Sequence, residues 1–138
     1  MSNDAELNRL YEQEASAESS IAGYESQQAA IDAKLERLRA AKTKLVGYED
    51  DARELKSQVS DEKDQDIWKG TKYNSYQGMV AGLEGSYNSY ISGIDSVIDA
   101  INTAMTQLEN ERRNIGGWLG QAISWLHEIR NEIVNFFN

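Results

Sequence analysis

The sequence predicts an all-α fold, an elongated antiparallel hairpin of two long helices. Proline is absent from the 138 residues, so neither helix need contain a proline kink. Two segments of similar length repeat apolar residues at intervals of three and four, which is the spacing of one helical face. Between them lies a short stretch with Gly70, which suits a bend because glycine accepts backbone conformations that other residues avoid.

We expect one domain over residues 1–138, since this length suits a single domain. The predicted first arm covers about residues 3–60, the turn covers residues 61–71, and the second arm covers about residues 72–137. The apolar content of 40% is modest and favours a thin core between two arms.

The first arm carries one apolar column with a seven-residue repeat: Leu10, Ala17, Tyr24, Ile31, Leu38, Leu45, Ala52 and Val59. A companion column begins at Leu7 and repeats every seven residues, but it is polar beyond residue 38, at Lys42, Glu49 and Lys56. The residues directly before these three are apolar: Ala41, Tyr48 and Leu55. We therefore expect the seam to shift by one residue, as a near-straight helix drifts against a strict seven-residue repeat. Glu14 and Gln28 interrupt the companion column, which indicates register control or a solvated edge.

The second arm carries a longer apolar stripe: Val80, Leu83, Tyr87, Tyr90, Ile94, Val97, Ile101, Ala104, Leu108, Ile115, Leu119, Ala122, Leu126, Ile129, Ile133 and Phe136. Gly116 and Gly117 weaken the helix, since each glycine costs roughly 1 kcal/mol relative to alanine. The phase of the stripe survives them, so we expect a bend or soft joint near Gly116 and not a second domain.

Opposite this stripe the second arm carries small residues, where a surface helix normally carries charges. Those expected to contact a partner helix are Gly82, Gly85, Ser89, Gly93 and Ser96. Small side chains let a second helix approach closely. The alternative is a merely hydrophilic face on a hairpin that has no partner.

Near the C-terminus, Trp118, Trp125 and Phe137 lie beside the stripe and make the apolar face too wide for one seam. Such width is typical of an interface, and we expect these three residues to bind the partner. Binding to a membrane surface is the alternative. Membrane-surface helices usually have a polar face rich in Lys and Arg, whereas Arg130 is outnumbered here by glutamates.

No pattern of residues predicts catalysis, a cofactor or a metal site, so we expect a protein that is not an enzyme. Cysteine is absent, and the single His127 has no recognisable nucleophile motif around it. The acidic segment 60–66 does not match a calcium-binding loop, because the sixth place from Asp61 is Asp66 and the twelfth is Lys72. The net charge of −9 argues against nucleic acid as a partner.

The N-terminal residues include neither a basic segment nor an apolar one, so we expect no cleaved signal peptide. No run of about 18 apolar residues occurs, so a membrane-spanning helix is not expected and a membrane partner is disfavoured.

The tripeptide Trp68-Lys69-Gly70 at the tip of the predicted hairpin resembles the Trp-x-Gly motif of the WXG-like superfamily, small helical substrates of type VII (ESX) secretion. The acidic charge and the absence of cysteine agree with this resemblance. With 138 residues, the chain is longer than the usual member. It resembles more closely the YwqH-like helical companion proteins of LXG-domain toxins in Gram-positive bacteria.

This resemblance implies a chaperone-like targeting protein that binds the helical N-terminal domain of an LXG toxin, together with a second small helical companion in some complexes. It implies a cytoplasmic location before export and leaves open whether the protein is secreted with its partner. The family's export signal is an aromatic residue followed four residues later by Asp or Glu, and no Tyr or Phe here has an acid at that distance. We therefore expect another subunit to carry the signal.

Two other functions stay open on the sequence. One is a coiled-coil scaffold or adaptor unrelated to secretion, and the other is a membrane-active helical effector.

Trp68 provides a test of the predicted hairpin tip. If its ring covers the end of the hairpin, Trp68→Ala removes a buried aromatic side chain and lowers the free energy of unfolding by about 3 kcal/mol. Chemical denaturation measures the change. Unchanged stability with reduced partner binding would instead make Trp68 a contact residue and contradict its capping role.

Overall fold

The structure, a computed structural model, describes the backbone of residues 2–63 and 71–138 and the side chains of residues 3–61 and 75–138. Helix α1 spans Ser2–Lys63 and helix α2 spans Thr71–Phe137. No described residue lies in a strand, and the two long helices pack against each other, which confirms the predicted all-α helical hairpin. The predicted turn residues Trp68 and Gly70 lie outside the described residues.

Both helices are longer than the average helix of a globular protein by several turns. Neither contains a proline, so the ladder of backbone hydrogen bonds has no gap of that kind. Helix α2 continues through Gly116 and Gly117, so this glycine pair does not end the helix.

The chain forms two compact units, each built from one part of α1 and one part of α2. The terminal unit comprises Met1–Glu36 and Thr106–Asn138, and the middle unit comprises Arg37–Met105. In the terminal unit Glu14 pairs with Arg130 and Asp32 with Arg112, so residue numbers rise along one helix as they fall along the other. The two segments of this unit are therefore antiparallel.

The core of the terminal unit lies around Ala17, whose exposed fraction is 0%. Leu126 and Ile129 of α2 pack on this alanine, and Ile21 and Ile133 pack against the same cluster. A small side chain facing two large ones lets the helices approach closely and fill the space between them. The other buried apolar residues of this unit are Leu10, Ile31, Leu35, Ile115 and Ala122.

The seam of each helix consists of two columns with a strict seven-residue repeat, here labelled a and d. Every d residue of α1 is buried or half-buried: Leu10, Ala17, Tyr24, Ile31, Leu38, Leu45, Ala52 and Val59. This confirms the first column predicted for that helix. The d column of α2 is likewise enclosed along its described length: Val80, Tyr87, Ile94, Ile101, Leu108, Ile115, Ala122, Ile129 and Phe136.

The predicted shift of the seam in the first arm is wrong. Of the column expected to enter the seam, Ala41 is half-buried, but Tyr48 and Leu55 are 53% and 46% exposed. The polar a column continues in their place with the half-buried residues Lys42, Glu49 and Lys56. The enclosed residues of α1 keep a seven-residue repeat, so the drift expected of a straight helix does not occur.

The same displacement by one residue occurs in the middle unit of α2. Leu83, Tyr90 and Val97, expected in the stripe, are exposed. The a residues that follow them, Glu84, Ile91 and Ile98, are buried or half-buried instead. The middle unit therefore encloses the polar a residues Lys42, Glu49, Lys56 and Glu84 while it leaves apolar g neighbours exposed on both helices.

Gly117 offers a test of helix continuity. It is exposed, and a Cβ placed on it would meet no heavy atom within 4 Å. We expect Gly117→Ala to raise the free energy of unfolding by about 1 kcal/mol, because alanine loses less backbone entropy in a helix. Gly116→Ala should gain less, since its Cβ would lie 3.4 Å from the Gln28 side-chain nitrogen.

Urea denaturation measures both changes, and Ala100→Gly, an opposite change at an exposed site of α2, is the control. Suppose that Ala100→Gly lowers the free energy of unfolding as expected, but Gly117→Ala does not raise it. The helix would then need glycine at residue 117.

Candidate partner-binding surfaces

The small-residue face consists of Gly82, Gly85, Ser89, Gly93 and Ser96, all of them exposed on α2 in the middle unit. A Cβ on any of its three glycines would meet no heavy atom within 4 Å, so the hairpin itself does not require glycine there. The Ser96 hydroxyl donates a hydrogen bond to the carbonyl of Ser92 at 3.1 Å. The hydrogen-bonding capacity of this hydroxyl is therefore satisfied within its own helix.

Two of the three predicted aromatic contacts lie together in the terminal unit. Trp118 and Trp125 are 51% and 40% exposed and line a shallow groove of about 330 Å³ with Tyr24 and Ala122. The ring centroids of Tyr24 and Trp118 are 6.1 Å apart at a tilt of 44°, which is within the range of favourable aromatic pairs. We name this site the tryptophan groove.

Phe137 is 65% exposed but does not line the tryptophan groove. Its ring contacts Phe136 edge-on, with 5.5 Å between the centroids. Residues one place before an a column occupy position g, and residues one place after a d column occupy position e. Trp118 and Trp125 are g residues whereas Phe137 is an e residue, so they lie on opposite flanks of the seam.

A second apolar groove lies in the middle unit, where the sequence had placed seam residues. Its walls are four exposed g residues: Tyr48, Leu55, Leu83 and Tyr90. Ala52 and Tyr87 complete its apolar lining, and Asp51 and Ser86 are its polar residues. We name it the tyrosine groove; its volume is about 520 Å³. The apolar d columns repeat every seven residues without a break, and this sequence signal could have shown that the four wall residues lie outside the seam.

The e flank carries the ion pairs between the helices. In the terminal unit Arg130 lies 3.4 Å from Glu14 and 3.0 Å from Glu18, so the polar interruption of the seam at Glu14 has a partner on α2. Arg112 lies 2.7 Å from Asp32, and this hydrogen bond raises the pKa of the Arg112 guanidinium. The half-buried Glu14 is thus paired across the helices, and its role in register stays a prediction.

In the middle unit three charged side chains form a cluster on the e side of the seam, where Arg53 and Asp95 are e residues and Glu49 is an a residue. Arg53 lies 2.6 Å from Glu49 and 3.8 Å from Asp95. Hydrogen bonding from Arg53 lowers the pKa of the Glu49 carboxyl. Hydrogen bonding with Glu49 raises the pKa of Asp95. The cluster joins α1 to α2 on the flank opposite the tyrosine groove.

Arg130→Gln tests the contribution of the ion pairs. The substitution removes the cationic partner of Glu14 and Glu18, and we expect it to lower the free energy of unfolding by less than about 1 kcal/mol, as exposed ion pairs are weak. The loss should shrink in 1 M salt, where charges are screened beyond about 3 Å.

Thermal denaturation at low and high salt measures this effect. Arg113→Gln is the matched control, because Arg113 is exposed and donates a hydrogen bond to Asn110 in its own helix. Equal effects of the two substitutions would contradict a stabilising role for the pairs across the helices.

No helix in the described part of the chain is long and apolar enough to cross a membrane. Within the same residues, no three His, Cys, Asp or Glu side chains are grouped so that they could hold a metal ion. His127 is exposed.

Comparison with curated proteins gives no match. The sequence model of the YwqH-like family matches residues 12–131, which include most of the seam and both the tryptophan groove and the tyrosine groove. The match covers most of the chain, and the chain therefore belongs to the YwqH-like family.

Proposed function

We propose that this protein is a non-enzymatic targeting partner that binds the helical N-terminal domain of an LXG-type toxin and accompanies it to a type VII secretion machine. Membership of the YwqH-like family supports a role as a companion protein. The Trp-x-Gly resemblance of residues 68–70 and the acidic charge support the link to secretion. The proposed partners are proteins, with a second small helical companion as a further subunit.

The observation that carries this proposal is the exposure of Trp118 and Trp125 in one groove. Tryptophan offers a large rigid contact area and is enriched among residues that dominate binding energy. Two exposed rings beside a tyrosine make up the kind of apolar patch that binds protein. The polar residues of the groove, Ser20 and Gln121, can satisfy hydrogen-bonding groups at its rim.

The small-residue face supplies a second binding surface. Glycine at three of its five positions weakens α2 by about 1 kcal/mol each, and no contact inside the hairpin offsets this cost. Close packing of a partner helix would offset it, since the absence of side chains lets two backbones approach. In this proposal the toxin domain contacts both surfaces, and another subunit of the complex carries the export signal.

Arginine substitutions on the small-residue face test the proposal. We expect Ser89→Arg with Gly93→Arg to leave the free protein at least as helical, because arginine is the better helix former. The same pair should abolish binding, because two long cations would have to be buried against the partner helix. Circular dichroism measures the helicity, and co-purification with the helical toxin domain encoded by a neighbouring gene measures the binding.

The matched control is Gly120→Arg with Ser124→Arg, which also replaces one exposed glycine and one exposed serine four residues apart on α2. This control should still bind. Binding that survives the first pair would remove the small-residue face from the interface and leave the tryptophan groove. If the unmodified protein does not co-purify with a toxin domain, the proposed function is wrong. Sedimentation with liposomes tests the membrane-active alternative.

A further inference from the structure

The tyrosine groove is not explained by the stability of the hairpin. Its four wall residues are 46–53% exposed, although each is a large apolar or aromatic side chain. In the same unit the seam encloses Lys42, Glu49 and Glu84 to an intermediate degree. Apolar residues outside and polar residues inside are the reverse of what a hairpin needs for its own core. The groove therefore has the composition of a surface that another molecule covers.

The spacing of the walls indicates the shape of that molecule. Tyr48 and Leu55 on α1 are seven residues apart, as are Leu83 and Tyr90 on α2. Seven helical residues rise about 10 Å, so each wall presents apolar side chains one heptad apart. This is the arrangement that a third helix meets when its own apolar residues repeat every seven positions. Ser86 lines the groove between Leu83 and Tyr90 and leaves room for a large side chain of that helix.

Charge indicates which kind of helix fits. Asp51 is the single ionisable carboxyl among the lining residues, and it is exposed on α1. A Lys or Arg beside the apolar stripe of the third helix would meet it favourably, whereas a Glu or Asp would be repelled. The net charge of −9 adds a long-range attraction for a basic helix.

The same charges disfavour a second copy of this chain as the occupant. Two copies placed groove to groove would bring an Asp51 carboxylate from each into a shared apolar site, where like charges repel and lose their hydration. Each copy also carries a net charge of −9. The walls therefore fit a partner helix that has apolar residues at heptad spacing and basic residues beside them.

We propose that the tyrosine groove binds one amphipathic α-helix of the partner protein, with heptad-spaced apolar residues facing Tyr48, Leu55, Leu83 and Tyr90 and with a Lys or Arg facing Asp51. This deepens the proposed function and rests on it for the identity of the partner. The site is separate from the small-residue face and from the tryptophan groove in the residues that form it.

A synthetic helix tests the chemistry of the groove without knowledge of the partner. The probe is a peptide of about four heptads with leucine at its seam positions and lysine on both flanks, so that like charges keep it from pairing with itself. We expect it to bind the full chain, and we expect the same peptide with glutamate flanks not to bind. Fluorescence anisotropy measures both. Failure of the lysine peptide, or equal binding of both peptides, would overturn the proposal.

Matched variants locate the binding site. Leu55→Gln should weaken binding of the lysine peptide about tenfold, as loss of one buried anchor does. Val46→Gln, an equally aliphatic and exposed site outside this groove on α1, should not weaken it. Asp51→Asn should weaken binding and reduce its salt dependence, while Asp50→Asn, the same charge change beside the groove lining, should do neither. Equal effects within either pair would overturn the assignment of the site.

The same four variants, tested for co-purification with the toxin domain, separate this inference from the proposed function. If the unmodified protein forms no complex with the toxin domain, the proposed function is wrong. The peptide experiment then still tests whether the tyrosine groove binds a basic amphipathic helix. A complex that forms equally with Leu55→Gln and Val46→Gln refutes the groove and leaves the proposed function standing. Sedimentation equilibrium tests whether a second copy of the chain occupies the groove. A dimer that is lost with Leu55→Gln would assign the groove to a second copy and overturn the proposal.

Discussion

The seven-residue packing of α1 against α2 is the constraint on which the other features of this protein depend. Its d columns are apolar along the described length of both helices, and they decide which residues face each other. Once these columns pack, the a, e and g positions of each helix are set by geometry, whatever side chains they carry. The exposed grooves and the ion pairs are consequences of this packing and not independent features.

The two units satisfy this constraint with different chemistry. In the terminal unit the a and d columns are both largely apolar, and the interruption at Glu14 is balanced by Arg130. In the middle unit the a column of α1 is polar, so less apolar surface is removed from water inside the pair. Apolar side chains that could have enlarged this core stand instead on the walls of the tyrosine groove. A partner that covers them would supply burial that the middle unit does not obtain by itself.

The two flanks of the seam are unlike in both units. Position e carries the cross-helix ion pairs made by Arg53 and Arg130, while position g carries the two tryptophans of the tryptophan groove and the four walls of the tyrosine groove. Exposed ion pairs contribute little stability, but they disfavour a rotation of either helix that would separate them. They thus help to keep the apolar g residues on the outside. Ion pairs on one flank and apolar grooves on the other also limit where a partner helix can pack.

The sequence by itself determined the helical hairpin, since the absence of proline and the repeat of apolar residues leave few other ways to bury that surface. It also determined that the outer face of α2 consists of small side chains with few charges. It further determined that Trp118 and Trp125 make the apolar face of α2 wider than one seam can bury. It did not determine which of two adjacent columns enters the seam of the middle unit. On α1 the column with Tyr48 and Leu55 is the more apolar, yet the column with Glu49 is enclosed. Only the tertiary structure decided this, because the rotation of a long helix about its axis is set by the sum of its contacts along the other helix and not by local hydrophobicity.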